Sequence, residues 1–96
     1  MAKVSLSKKA LRDLNSIYLY ISQDSEFYAG NLVNKIYARI KILETHIPIG
    51  KVVSEFNDQA IRELQEGQYR IIYKVINANE VSIVRVYHRA RLLTNL

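Results

Sequence analysis

With 96 residues, 49% hydrophobic and 24% charged, the chain is long enough for one domain, residues 1 to 96, and too apolar to stay disordered. The absence of cysteine excludes disulfides, thiol nucleophiles and cysteine-based zinc sites, and the longest apolar run, Ile17 to Ile21, is far short of the ~20 residues that span a bilayer, so a cytoplasmic protein without membrane contact is expected. The net charge of +5 is uneven: residues 69 to 96 set Arg70, Lys74, Arg85, Arg89 and Arg91 against one acid, Glu80, and an arginine-rich block of this kind suits phosphate or a carboxylate-rich protein partner.

Ala2, Val4 and Leu6 alternate with polar residues as in a half-buried strand. Ser7 is placed to cap a helix whose apolar positions Leu11, Leu14, Tyr18 and Ile21 fall three or four apart. The polar cluster 22–25 breaks that stripe, and Asp24 or Ser25 caps a second helix. Its stripe, from Ala29 through Ile36 to Leu43, runs to Thr45 before Pro48 and Gly50 end it. So short a link folds the two helices into an antiparallel hairpin. After Pro48 the period changes to two. Val52, Val53 and Phe56 suggest one short strand, Ile61 to Gln65 another, and Tyr69 to Ile76 with Val81 to His88 a β-hairpin around residues 77–80. The class is α+β: a strand, then a helical hairpin on a small, mostly antiparallel sheet.

In a symmetric hairpin, Arg70 stands opposite Tyr87. Ile71, Tyr73, Val75, Val84 and Val86 then form the face toward the helices, and Arg70, Ile72, Lys74, Ile83, Arg85 and Tyr87 the other; a bulge would shift this register. Tyr87 beside Arg70 also fits a plain packing pair.

No HExxH motif or glycine-rich phosphate loop is present, and the two histidines, His46 and His88, are far apart in sequence, so neither metal nor cofactor is expected. Metal-free RNA cleavage needs a base, an acid and cations around the phosphate. Arg70, Arg89, His88 and Tyr87 contain those functions, and Lys51, Lys74, Arg85 and Arg91 are further candidates for holding phosphate or a macromolecular target. His88 fits equally a strand-end histidine with one backbone hydrogen bond, and His46 a helix-end residue.

Several segments resemble one known group: Ser7-Lys8-Lys9-Ala10, Pro48-Ile49-Gly50-Lys51-Val52-Val53-Ser54-Glu55, Ile61-Arg62-Glu63-Leu64, Gly67-Gln68-Tyr69-Arg70-Ile71-Ile72-Tyr73, and Val86-Tyr87-His88-Arg89-Ala90-Arg91-Leu92-Leu93. Together they are similar to the RelE/ParE superfamily of toxins from type II toxin–antitoxin systems, often described as plasmid stabilisation proteins. The resemblance implies a helical hairpin on a curved sheet, a cognate antitoxin that wraps the toxin, and either of two activities. ParE-like members inhibit DNA gyrase; RelE-like members cut mRNA on the ribosome. Arg70 and Arg89 match positions that contribute to the RelE-like active site, and His88 falls where those enzymes often carry lysine. Lys51 is the sole basic residue between Pro48 and Ile61, where RelE-like enzymes are richer in lysine, and only seven residues follow Arg89. Both features, with the long helices, lead to the expectation of a ParE-like gyrase inhibitor that holds its target with its helices and basic block. The alternatives are a ribosome-dependent endoribonuclease and a degenerate, non-toxic RNA-binding module.

Overall fold

The computed structural model describes residues 1–91 and 96. Leu92 and Leu93, which close the last sequence motif, lie outside the described residues. The elements follow in chain order as β1 (Lys3–Leu6), α1 (Lys8–Ser22), α2 (Glu26–Lys41), two 3-10 turns, β2 (Lys51–Val52), β3 (Ile61–Glu66), β4 (Tyr69–Asn77) and β5 (Glu80–His88). They make one five-stranded sheet in the order β1-β5-β4-β3-β2, antiparallel except for the parallel β1–β5 pair.

The caps follow the chemistry of serine. Ser7 Oγ accepts the Ala10 N–H at 3.1 Å and Ser25 Oγ the Tyr28 N–H at 3.1 Å, each satisfying an amide that the first helical turn leaves without a partner. Ala10 and Leu14 of α1 and Ile36 and Ile40 of α2 pack with Leu43 onto one side of the sheet, against Leu64, Ile71, Tyr73, Val81, Ile83 and Val86. α2 stops at Lys41, ahead of the expected Thr45, and the chain tightens into 3-10 turns over 42–44 and 47–49. His46 therefore sits between two turns, its Nδ1 2.8 Å from Thr45 Oγ1.

Two expectations change. Val52, Val53 and Phe56 do not form one strand: β2 ends at Val52, and the 53–60 segment folds under the sheet. There Val53 and Phe56 join Ile72, Ile61, Val84 and Tyr87 in a second apolar cluster on the face away from the helices. Asn57 takes a left-handed φ of 51° within this loop, a conformation asparagine tolerates better than most residues.

The second change is in the hairpin register. Tyr69 to Ile72 pair with His88 to Arg85 as the symmetric loop requires, but Tyr73 pairs with Ile83, Lys74 with Ser82 and Val75 with Val81. Val84 is therefore an extra residue in β5, and Ile76 an extra residue in β4 nearer the loop. The first bulge exchanges two side chains: Ile83 turns into the helix-side core, fully buried, and Val84 turns to the opposite face. Its cause is tertiary. The Ser7 N–H bonds Ile83 O at 2.9 Å and Ser7 Oγ donates to Val84 O at 3.1 Å, so the corner between β1 and α1 grips β5 at this point.

Gly50 is fixed by close approach. A Cβ there would lie 2.5 Å from the Tyr73 hydroxyl and 2.7 Å from Glu63 O, so only glycine fits. The buried Tyr73 hydroxyl accepts the Gly50 N–H at 2.9 Å and donates to Ile47 O at 2.6 Å, tying the 3-10 segment to β4.

Candidate functional site: a cationic cleft and an aromatic groove

Arg70 enters β4 on the sheet face away from the helices, in register with Gln65 of β3 and Tyr87 of β5. Glu63, two residues before Gln65, faces the same side. Glu63 Oε1 accepts from Arg70 Nε at 3.0 Å and its Oε2 from Nη2 at 2.8 Å. Glu55, in the loop after β2, takes the end of the guanidinium, with Oε2 2.7 Å from Nη1 and Oε1 2.9 Å from Nη2. Four of the five guanidinium N–H groups are thus held by carboxylates. The Arg70 side chain is 11% exposed and that of Glu63 9%, so the cluster is largely removed from solvent screening. The hydrogen bonds that Arg70 donates to Glu55 and then Glu63 hold its proton even more firmly than usual.

This cluster forms one wall of an open cleft of about 370 Å³, also lined by Lys51, Ser54, Gln65 and Arg89. Lys51 stands opposite Glu63 in the β2–β3 register, and Arg89 is placed by its N–H, which bonds Gln68 O at 2.7 Å. Lys51, Arg70 and Arg89 therefore meet in one cavity.

The other candidates lie elsewhere. Tyr87 is on the same face, but Arg85 Cζ lies 4.3 Å and Arg91 Cζ 4.9 Å from its ring centroid, so its ring contacts those two cations. Arg85 is drawn to Asp13 of α1, with Nε 2.8 Å from Oδ2 and Nη2 3.0 Å from Oδ1. Lys74 is exposed near the far end of the sheet, in register with Ile61 and Ser82. His88 belongs to the helix-facing side: its ring meets Tyr69 edge-on at 5.4 Å, and its Nδ1 accepts the Ala90 N–H at 3.1 Å. Arg70 and His88 are thus on opposite faces of the sheet. Among the described residues no three histidine or acidic side chains gather to hold a metal ion, and no helix is long and apolar enough to cross a membrane.

A second concavity runs between the helical hairpin and the open end of β4–β5. It consists of two adjoining hollows of about 450 and 350 Å³ that share Tyr69 and His88 as their floor. Ile17 and Tyr20 of α1 border the first, and Tyr28 and Leu32 of α2 the second; Arg91 and Lys35 stand at the margins. Tyr20 is 75% exposed and Phe27 81%, large apolar surfaces to leave in water. Burial pushes the Tyr69 phenol above its usual pKa, with Tyr20 and Tyr28 adding smaller contributions.

The sequence reading did not single out Glu55, Glu63, Tyr20 or Tyr28. Signals existed: an acid between Ile61 and Leu64 in a strand, and four of the seven tyrosines on helical segments, where packing alone does not ask for phenols.

Two helices on one side of a five-stranded sheet, with a basic cleft on the other side, define a small α+β protein. A family model described as the ParE toxin of type II toxin–antitoxin systems, parDE, matches residues 4–93, and the chain belongs to that family, within the RelE/ParE superfamily. Among solved structures, a chain of the chromosomal ParDE toxin–antitoxin system from P. aeruginosa is 21% identical with a TM-score of 0.72, the match covering 92% of this chain and 96% of that one. A chain of the RelBE2 toxin–antitoxin complex from Mycobacterium tuberculosis gives 22% and 0.59, covering 92% and 98%, and the YoeB dimer from Staphylococcus aureus 18% and 0.60, covering 91% and 97%. These similarities establish the fold. No curated protein matches the sequence.

Proposed function

We propose that this toxin arrests growth by binding its target, with DNA gyrase as that target, and that it is held inactive by a cognate antitoxin seated in the aromatic groove. The observation that carries the proposal is the separation of Arg70 from His88. Arg70, the phosphate-binding candidate, and His88 face opposite sides of the sheet, so the histidine proposed as base or acid for metal-free RNA cleavage does not meet Lys51, Arg70 and Arg89 in one cavity. Family membership supports the same reading, as does the ParDE system to which one structural relative belongs.

A ribosome-dependent endoribonuclease is the second reading, favoured by the convergence of Lys51, Arg70 and Arg89 in one cleft. Inducing the toxin without antitoxin distinguishes the two. Gyrase inhibition gives relaxed plasmid or cleaved gyrase–DNA complexes with transcripts intact, and purified protein stops supercoiling. A-site cuts in translated mRNA with normal plasmid topology would reject gyrase in favour of the ribosome, and unimpaired growth would reject toxicity. Arg89→Ala is the variant to include, because Arg89 is exposed and its removal leaves the Arg70 cluster intact.

A further inference from the structure

We propose that the outer face of the helical hairpin is an interface with a second copy of this chain, the two hairpins lying end for end about a two-fold axis. Gly30 is a residue that the fold of one chain does not ask for. It stands inside α2, where glycine is less favourable than alanine, yet a Cβ there would meet nothing within 4 Å. No packing within the chain requires that space to stay open.

The residues around it form a continuous face. Phe27, Gly30, Asn34, Tyr37 and Lys41 recur at three- and four-residue steps along α2, and Lys8, Leu11, Arg12, Asn15, Tyr18 and Leu19 do so along α1. Apart from the half-buried Gly30 all of them are exposed, on the side of the helices away from Ala10, Leu14, Ile36 and Ile40, which pack on the sheet. Leu11 is 48% exposed, Leu19 55% and Phe27 81%, an apolar patch of the kind that marks a contact surface. Because the helices run antiparallel, Lys8, Arg12 and Lys41 come together at one end of the patch, while the turn between the helices puts Asp24 and Glu26 at the other. None of these charges takes part in an ion pair among the described residues. A face that is basic at one end, uncharged in the middle and acidic at the other is complementary to itself turned end for end, the condition for an isologous two-fold contact. A nucleic acid or a uniformly acidic partner would meet repulsion at the turn. In the pair, Gly30 gives an apolar side chain of the partner room against the α2 backbone. At about 22 Å long and two helices wide, the face offers roughly 400 Å² per copy, the low end of specific contacts, so the dimer is reversible and of micromolar affinity or weaker. It shares no residue with the aromatic groove or the cationic cleft, and a dimer can form with either occupied.

The test is sedimentation equilibrium of the intact toxin from about 1 µM to 1 mM, for the wild type, Gly30→Gln, Arg12→Glu, and Arg12→Glu with Asp24→Lys, with thermal unfolding of each at the lowest concentration. The wild-type mass should move from monomer toward dimer across the range. Gly30→Gln should melt higher, since glutamine is the better helix former, and associate at least about tenfold more weakly, because its side chain fills the open space. A glycine kept for the monomer's own fold would not give that combination. Arg12→Glu should weaken the dimer, and adding Asp24→Lys should restore part of the loss, because the two-fold axis brings Arg12 to the end that carries Asp24 of the partner subunit. A wild type that stays monomeric throughout overturns the proposal, and if Gly30→Gln then also relieves growth arrest, the face belongs to the toxin's target. Undiminished association of Gly30→Gln overturns the face, and a double variant no better than Arg12→Glu overturns the end-for-end arrangement. If Gly30→Gln melts below the wild type, Phe27→Ser at an exposed position decides in its place, with unchanged association rejecting the interface.

Discussion

Arg70 shows how a side chain selected for its charge becomes inseparable from folding. Truncating it leaves the buried Glu63 without its ion-pair partner, which costs about 3 to 5 kcal/mol, so Arg70→Ala should lower stability by that order in urea unfolding, and adding Glu63→Leu should recover part of the loss. A growth assay on Arg70→Ala alone therefore reads folding before it reads function. The sequence made Arg70 legible as a cation opposite Tyr87, because strand alternation fixes both positions. It did not show the two glutamates, because Glu55 reaches Arg70 through a loop whose path depends on Val53 and Phe56 packing under Ile72. Tyr73 carries a different consequence. Burial raises its phenol pKa, with the Gly50 bond offsetting part of the rise. The neutral phenol is thus favoured in the folded state, and its contribution is complete below the unfolded value of about 10 and declines as pH rises past it. Tyr73→Phe should cost about 1 to 2 kcal/mol at neutral pH by removing two hydrogen bonds. It should also flatten the loss of stability between pH 9 and 11 seen by chemical denaturation, with Tyr69 supplying the remainder.

At the level of elements, local chemistry was readable and tertiary grips were not. Serine caps, helical stripes and the β4–β5 hairpin follow from residue spacing, and each lies close to its expected place. The bulge at Val84 does not follow, because nothing in the β5 sequence demands it; the grip comes from Ser7, 77 positions away. Asp13 makes a second grip of the same kind. β1 covers β5 only from Glu80 to Ile83, and beyond it Asp13 Oδ2 accepts the Val86 N–H at 2.9 Å while the carboxylate holds Arg85. One acid thus satisfies a strand edge, neutralises a cation and fastens α1 to the sheet. Asp13→Ala should cost about 2 to 3 kcal/mol, since a charged hydrogen-bond pair and a partly buried amide lose their partner together. Hydrogen exchange should show the Val86 amide losing protection ahead of the β3–β4 amides; uniform loss across the sheet would mean that Asp13 acts only on global stability.

For the molecule as a whole, the sheet separates two surfaces of different character: a groove of exposed phenols under the hairpin, and a cleft of arginine and lysine behind it. The net charge of +5 favours an acidic partner over the whole surface, but the groove itself is mostly apolar, with Tyr20, Tyr28, Leu32 and Tyr69 facing it. A disordered acidic antitoxin segment that folds on binding would lay its apolar side there and reach Arg91 and Lys35 with its acids. The two contributions respond differently to salt. Charge pairs at the margin weaken as the screening length falls from ~10 Å at 0.1 M salt toward 3 Å at 1 M, whereas buried apolar contacts do not. Affinity measured by calorimetry between 0.1 and 0.5 M salt should therefore fall by no more than about tenfold, mostly through slower association. Tyr20→Ser and Tyr28→Ser should weaken the complex at every salt concentration and leave the salt slope unchanged, because they remove anchors and no charge. A complex that dissociates completely at moderate salt, or that is indifferent to both tyrosines, would place the antitoxin on the basic cleft, and the groove would then need another occupant.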